Sequence, residues 1–538
     1  MPRVMKCGSI ASSLASDIVI ISNYHRKIME VTAYAREKIV SFVEFNELLS
    51  QYYLPRIVQS HGVFDLLHIG HIKHFQAAKK YGDILVVTIT PDRFVNKGPN
   101  RPRFTEKLRA EAVAALDCVD FVIINSWPTA VEAISLIRPT VYAKGDEYKN
   151  SEDDITGKID EENAAVSAVG GRTVFTSEVT FSSSELLNEF FSPFSAEVTT
   201  YLNNFKKKYS PQKIISYLES SKKLKALVVG EAIVDIYHFS DVIGKAGKEP
   251  TLVAKESHSK TYAGGILALA NHLSEFCSEI TCVTYLGEKS EHEEMIKKNL
   301  KPNVKMIPIY KKDSPTIVKR RYVEEYLRQK LFEVYEINDD FLEDAQNELL
   351  LKHLDALLDN HDLTIVADYG HGLLNQNAIE IITQKAKFLA VNTQSNAGNN
   401  GFNCISKYQK ANFVSIATRE LQLNYRQKHL STPEQLKRLM QEHNYQNVMI
   451  TSGKNGVYVG KKNESIYEVP AFAHNVVDRV GAGDAVLAIS SLYAYQDAPA
   501  ELIGFISNVV GAEAVSVMGN ERYIEKINLM KHVSHLLK

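Results

Sequence analysis

The sequence predicts an α/β protein of two domains, and three observations carry that expectation. Short β-rich runs alternate with helical spacing in each half of the 538 residues, a length that suits two or three domains. A glycine-containing turn leads from strand to helix in HGVFDLLHIGH, residues 61–71, and another opens a helix in RVGAGDA, residues 479–485. Between the halves, residues 191–222 lose the alternation and carry a lysine run and two prolines.

Composition narrows the class. Apolar residues make up 45% and charged residues 23%, ordinary for a soluble globular chain. A formal net charge of −2 gives no case for nucleic acid or an anionic membrane as partner. The five cysteines (Cys7, Cys118, Cys277, Cys282 and Cys404) form no C-x-x-C pair. Their odd number argues against a disulfide framework and for a reducing cytoplasm. No segment approaches the roughly 18 uninterrupted apolar residues of a membrane helix. Residues 1–37 read as an extension outside the fold. SIASSLASDIVIIS loosely imitates a signal peptide, but Asp17 interrupts its apolar core, and translation could begin at Met29.

Residues 38–190 form the first expected domain. KIVSFVEFNELLSQ reads as a lead-in helix, and PRIVQS, DILVVTIT, DFVIIN, TVYAKG and GRTVFTS as strands. Strands alternating with helices such as EKLRAEAVAALDC argue for a parallel sheet covered on both faces. His68 and His71 fall where a strand passes into a helix, and there free backbone N–H groups and the helix dipole attract an anion. No cysteine or carboxylate at ligand spacing sits beside them, which argues against zinc. Nucleotidyl transfer needs positioning and neutralisation of charge rather than a covalent intermediate. His68 and His71 suit that work as donors, with Lys97 and Arg109 as a cationic clamp. A single Lys or Arg is ordinarily a surface charge; order and spacing after the turn single these two out.

The H-x-G-H turn, with Gly62, Phe64 and Asp65 before it, resembles the nucleotidyltransferase superfamily of cytidylyl- and adenylyltransferases. RPRFTEKLRAEAVAALDCVD, VYAKGDEY and FSSSELL are similar to the adenylyltransferase half of the bifunctional heptose-phosphate kinase/adenylyltransferases. The resemblance implies a Rossmann-like nucleotidyltransferase domain with Lys144, Asp146, Ser183 and Ser184 at the nucleotide. Hydroxyls at a helix start also serve simply as N-caps. ATP is the expected co-substrate, with CTP the alternative.

Residues 191–222 read as a helical linker, their KKK run as a solvated helix face. The second domain, residues 223–538, opens with LKALVVGEAIVD. In RVGAGDA, Gly481, Ala482 and Gly483 can present N–H groups to a transferring phosphoryl group, with Asp484 placed to take a hydroxyl proton. Alone, such a turn can be an ordinary helix start with a favourable aspartate. Its company is more specific. Asp235, the Gly264-Gly265 pair and TSGKNG (residues 451–456) occur in the order found in ribokinase-like pfkB sugar kinases. That resemblance implies a ribokinase-like α/β domain with Asp235, Gly264 and Gly265 at the sugar. It places Ser452, Gly453, Gly456 and Asn508 near the nucleotide, and Glu420 behind water on magnesium. Mg2+ and ATP follow as cofactor and co-substrate, with a monovalent cation beside the loop at Arg479.

SPTIVKRRYVEEYLRQKLFEVYEI and ADYGHGLL resemble the kinase half of the same heptose enzymes. Three departures stand out: Asn392, in VNTQSNAGNNGFN, where Asp-Pro-Lys is usual; Ala268 for an asparagine; and Arg479 for a small hydroxylated residue. The domain order is also reversed. The expected protein is a cytoplasmic homo-oligomer acting on sugar phosphates and nucleoside triphosphates, making a nucleotide-activated sugar. Two alternatives are a CTP-dependent transferase for a polyol or other sugar phosphate, and a transferase whose kinase-like half senses a metabolite.

Overall fold

The computed structural model describes residues 36–50, 55–95, 98, 101–146, 158–176 and 194–537. Lys97, Ser183 and Ser184 lie outside the described residues, as does most of the N-terminal extension. The chain divides into two compact units, the second beginning at Pro193.

The first unit holds strands β1 (Ile57–Gly62), β2 (Ile84–Ile89), β3 (Phe121–Ile124), β4 (Val141–Gly145) and β5 (Arg172–Thr176). They form a parallel sheet in the order β3-β2-β1-β4-β5. Alternate residues of the central strands face opposite ways. Val58, Leu85 and Val87 pack with Phe75 and Val113 on one side, while Ile57, Ile84 and Val86 pack with Phe45 and Ile137 on the other. Burial on both faces explains why β2 reads ILVVTI without a polar break before Thr88. β1 has β2 on one side and β4 on the other, so the connections diverge at the carboxyl ends of β1 and β4. Such a switch point is where open α/β sheets bind ligands.

The second unit carries β6 (Lys225–Gly230), β7 (Ala232–Lys245), β8 (Leu252–Gly265), β9 (Glu279–Gly287), β10 (Val304–Lys311), β11 (Ile317–Glu324), β12 (Lys330–Glu336), β13 (Leu363–Asp368), β14 (Leu389–Thr393), β15 (Lys410–Ala417), β16 (Asn444–Thr451), β17 (Val457–Lys461) and β18 (Tyr467–Val469). Nine of these form one sheet, β10-β9-β6-β13-β14-β15-β16-β17-β18, parallel as far as β16 and antiparallel beyond it. A separate four-stranded sheet, β12-β11-β7-β8, begins where β7 leaves the end of β6. The helices Ala482–Tyr495 and Ala500–Ala514 bury nearly every residue, which their all-round apolar sequences require.

Residues 191–222, expected as a linker, contain two helices, Ala196–Phe205 and Pro211–Ser220, each capped by a serine (Ser195 and Ser210). They do not run free. Phe205 is wholly buried and stacks on Phe505 with ring centroids 4.2 Å apart, and the Tyr493 hydroxyl donates to the carbonyl of Ile214 at 2.9 Å. The helices are therefore part of the second unit's core. Phe205→Ala is expected to lower the stability of that unit by about 3–5 kcal/mol. Calorimetry of the full chain checks this, because a linker residue would leave the transition unmoved.

Candidate functional site

In the first unit, the chain leaves β1 through a compressed turn. Phe64 takes a left-handed conformation (φ 50°), and its ring lies against Gly62, where a Cβ would sit 2.8 Å from it. The same ring packs edge-on against His71, with centroids 5.2 Å apart. His68 caps the helix Ile69–Lys79, its Nδ1 accepting the Gly70 N–H at 3.1 Å. That bond fixes the tautomer. Burial lowers the His68 pKa, so the ring is neutral at pH 7 and its proton sits on Nε2. Nε2 has no protein partner among the described residues, and the His71 ring lies 3.9 Å away, centroid to centroid. A helix start with an unused imidazole donor is well made for phosphate oxygens.

Other residues of the first unit have different roles. Asp65 is buried and accepts the backbone N–H groups of Arg103 (2.6 Å) and Phe104 (3.1 Å) and the Arg101 guanidinium (3.2 Å). It latches the 101–104 loop to the turn. Arg109, expected in a phosphate clamp, is only 1% exposed. Its guanidinium donates to the carbonyls of Val63, Thr90 (2.8 Å) and Phe104 (2.9 Å) and to Asp92 (2.7 Å). Arg109 is thus a buried staple joining the loops after β1 and β2. Lys144, at the end of β4, is paired with Glu162 at 2.8 Å, and Asp146 follows half-buried. His61 and His74 are internal, bonded to Thr88 (2.9 Å) and to Ser60 and Thr176 (2.8 and 2.7 Å). Burial first, and then the Lys144 charge, pushes both down to about 4, so they stay neutral.

The second unit contains a cavity of about 370 Å3 bordered by the carboxyl ends of β14, β15 and β16 and the start of the helix Ala482–Tyr495. Gly481 caps that helix at φ 79°, and a Cβ there would meet Asn520 Oδ1 at 2.1 Å. Gly483 faces open space, the nearest atom to a built Cβ being Gln394 Nε2 at 4.0 Å. Asp484, 7% exposed, accepts from the Tyr369 hydroxyl and from Gln394 Nε2, both on Oδ1 at 2.9 Å. Burial, assisted by the charge of Asp235, pushes its carboxyl up to about 7 against the pull of those two bonds. Asp235 also lines the cavity, ion-paired with Arg321 and accepting from Asn520 Nδ2 at 3.3 Å. Gly264 is bare for a reason: a Cβ there would lie 2.0 Å from Asp235 Oδ2. Gly265 turns at φ 58° into the following helix, its Cβ position 2.6 Å from the Glu231 carbonyl.

Glu420 borders the cavity and accepts the N–H groups of Ala417 (2.8 Å) and Ser395 (3.2 Å). Arg479 and Asn392 line it too, Asn392 donating across to the Ser415 carbonyl at 2.6 Å. Ala268 lies buried in the helix Ile266–Leu273.

Ser452, Gly453, Gly456 and Asn508 do not line this cavity. The first three make the turn between β16 and β17, where Ser452 N–H bonds the Gly456 carbonyl at 2.8 Å and Gly456 (φ 83°) passes close to Val469. Asn508 ties its helix to β18 through the Val469 carbonyl at 3.2 Å. Sequence reasoning missed Lys319, Arg321, Tyr369, Gln394 and Asn520, all of which line the cavity. One signal was available: in TIVKRRY, Lys319 and Arg321 stand two apart and so share a face of β11.

A carboxylate poised beside open amides at a helix start is the equipment of a phosphoryl-transfer kinase. Residues 223–526, more than half of the chain, match the pfkB family of carbohydrate kinases, and the protein belongs to that family. Residues 60–215 match the cytidylyltransferase-like family, so the transferase-like part comes first and the kinase second. Over the nucleotidyltransferase region the chain is similar to the bifunctional protein HldE of Helicobacter pylori (strain G27), 37% identical over 151 residues. The HldE of Geobacter metallireducens is 41% identical over 119 residues. These matches cover 28% and 22% of this chain and 30% and 23% of the relatives, so the chain spans less than a third of their length. Among solved structures, Escherichia coli phosphofructokinase-2 in complex with potassium aligns with 59% of this chain and 100% of its own, at 16% identity and a TM-score of 0.46. Arabidopsis thaliana ribokinase complexed with ribose and ATP aligns with 59% and 99%, at 18% identity and a TM-score of 0.43.

Among the described residues no group of three or more His, Cys, Asp and Glu could hold a metal, and no helix is long and apolar enough to cross a membrane. Arg109→Met would remove the bonds to the Val63, Thr90 and Phe104 carbonyls, and is expected to destabilise the first unit by about 2–4 kcal/mol. Thermal unfolding of the full chain should show the first unit melting earlier and the second unchanged.

Proposed function

We propose that this protein is a bifunctional enzyme of nucleotide-sugar synthesis. The second unit phosphorylates a sugar phosphate from ATP, and the first joins a sugar 1-phosphate to a nucleotide with release of pyrophosphate. One observation carries the kinase reading: Asp484 stands beside the Gly481–Gly483 amides in the cavity that also holds Asp235. In this reading Asp235 orients the acceptor and Asp484 takes the proton of the attacking hydroxyl. The helix-start amides meet the charge on the transferring phosphoryl oxygens. A base pushed up to about 7 suits that task near neutral pH.

The Glu420 carboxylate at the cavity edge fits magnesium that arrives with the nucleotide, holding it through water, since that ion keeps several waters and favours phosphate oxygens. When bound, it neutralises charge on the phosphates. Lys319 supports an acceptor that already bears a phosphate. It is buried, with its pKa lowered by that burial, lines the cavity, and has no ion-pair partner among the described residues; its ammonium lies 5.0 Å from the Tyr335 ring centroid.

In the first unit, the His68 Nε2–H and the helix start are the donors for the triphosphate, with His71, Lys97, Lys144, Asp146, Ser183 and Ser184 around it. The similarity to HldE supports adenylyl transfer and a heptose as the sugar. The work is cytoplasmic and involves small molecules.

The test is pyrophosphate release by the full chain from heptose 1-phosphate, with ATP set against CTP. Release with ATP is expected. Release with CTP alone would move the protein to cytidylyl transfer, and silence with both would remove the heptose. His68→Ala and His71→Ala are each expected to cut pyrophosphate release by about 10²-fold or more and to spare sugar-phosphate-dependent ADP formation. Asp484→Asn should do the reverse. Because Asp484 works ionised, ADP formation should fall about tenfold per pH unit once the pH drops below about 7. A rate that is flat down to pH 5 would exclude Asp484 as the base.

A further inference from the structure

The stretch after β14, QSNAGNNGFN (residues 394–403), is held in place by its own amides. Asn396 and Asn399 donate from Nδ2 to the Tyr369 carbonyl at 2.9 and 2.8 Å. Asn403 donates to the carbonyls of Asp368 and Gln394 at 2.8 and 3.2 Å, and the Gln394 N–H bonds the Asp368 carbonyl at 2.9 Å. Gln394 is therefore anchored at its backbone on both sides. From there its side chain reaches Asp484 Oδ1, the oxygen already taken by the buried Tyr369 hydroxyl. Neither donor turns to Oδ2, and no hydrogen bond to Oδ2 comes from the described residues.

We propose that Gln394 is a positioning residue for the phosphoryl-transfer step: with Tyr369 it grips Asp484 by one oxygen and leaves the other to face the acceptor hydroxyl. The inference rests on the kinase reading above. An amide N–H and a phenol both bond the ionised carboxylate better than its acid form, so the pair also offsets part of the burial of this base. The other charged groups bordering the cavity are Asp235 from β7, Lys319 and Arg321 from β11, Glu420 after β15, and Arg479 before the helix.

Gln394→Leu removes the donor, Gln394→Glu replaces it with an isosteric acceptor, and Gln394→Lys keeps an N–H. Two measurements on the full chain decide the matter. Titration of Asp484 by NMR with carboxyl-labelled aspartate, assigned through Asp484→Asn, reads the base directly. Steady-state ADP formation from ATP with a panel of hexose and heptose monophosphates reads the reaction. In Gln394→Leu the Asp484 titration and the acidic limb of kcat are expected to rise together by about one pH unit. At neutral pH kcat should fall about tenfold, with the KM of the sugar phosphate unchanged. Gln394→Glu should go further, Gln394→Lys should restore the limb, and Tyr369→Phe should mimic Gln394→Leu. An unmoved titration in folded Gln394→Leu overturns the proposal. So does a raised KM with an unmoved limb, which would make Gln394 an acceptor contact. If the wild type turns over none of the sugar phosphates, the kinase reading fails, and the NMR titration still decides whether Gln394 holds the carboxylate.

Discussion

The first N–H groups of an α-helix have no carbonyl partner within the helix, and each unit of this chain sets such a start at the carboxyl edge of a parallel sheet. Ile69–Lys79 begins beside the end of β1, and Ala482–Tyr495 begins beside the ends of β14 to β16. Much of the surrounding architecture serves these two ends. Gly62 and Phe64 compress the first turn so that His68 can cap it; Gly481 turns the second at φ 79°, where a Cβ would strike Asn520.

The two cradles are charged by different means. In the first, the imidazoles of His68 and His71 stand at the helix start, and the nearby cation Lys144 is already paired with Glu162. In the second, a buried carboxylate is raised almost to neutrality, and Arg321 balances Asp235. The donor of the first fits a bound anion whose charge it need not cancel. The carboxylate of the second fits a proton that has to move.

The fold and the centres of both cradles were readable because their signals are local. The alternation of strands and helices, H-x-G-H and G-A-G-D each lie within a few residues, and the two cradle turns formed where expected. What was missed depends on pairing between distant segments. Lys319 comes level with Asp235 only because β11 lies parallel to β7, and Gln394 meets Asp484 across 90 positions of sequence. The opposite error arose with Arg109. A cation following the motif at suitable spacing reads as a phosphate ligand, and only the convergence of three carbonyls and Asp92 on its guanidinium reveals a staple. Ser452 and Asn508 likewise have backbone duties that spacing does not disclose. The segment 191–222 was misjudged as a connector because two amphipathic helices look alike whether they bridge domains or complete one.

Those two helices bear on how such a gene could be divided or rejoined. Their rings at Phe205 and Tyr217 cover Phe505 and Tyr493 of the kinase core. The natural seam therefore falls ahead of Ser195 and not where the β-rich text resumes at Leu224. A kinase exchanged between chains as a module would have to carry this two-helix cap along with it, and whatever is fused upstream attaches to the cap, well away in sequence from the glycine cradle. A catalytic domain that brings its own covering segment can be placed first or second in a fusion without remaking its interior.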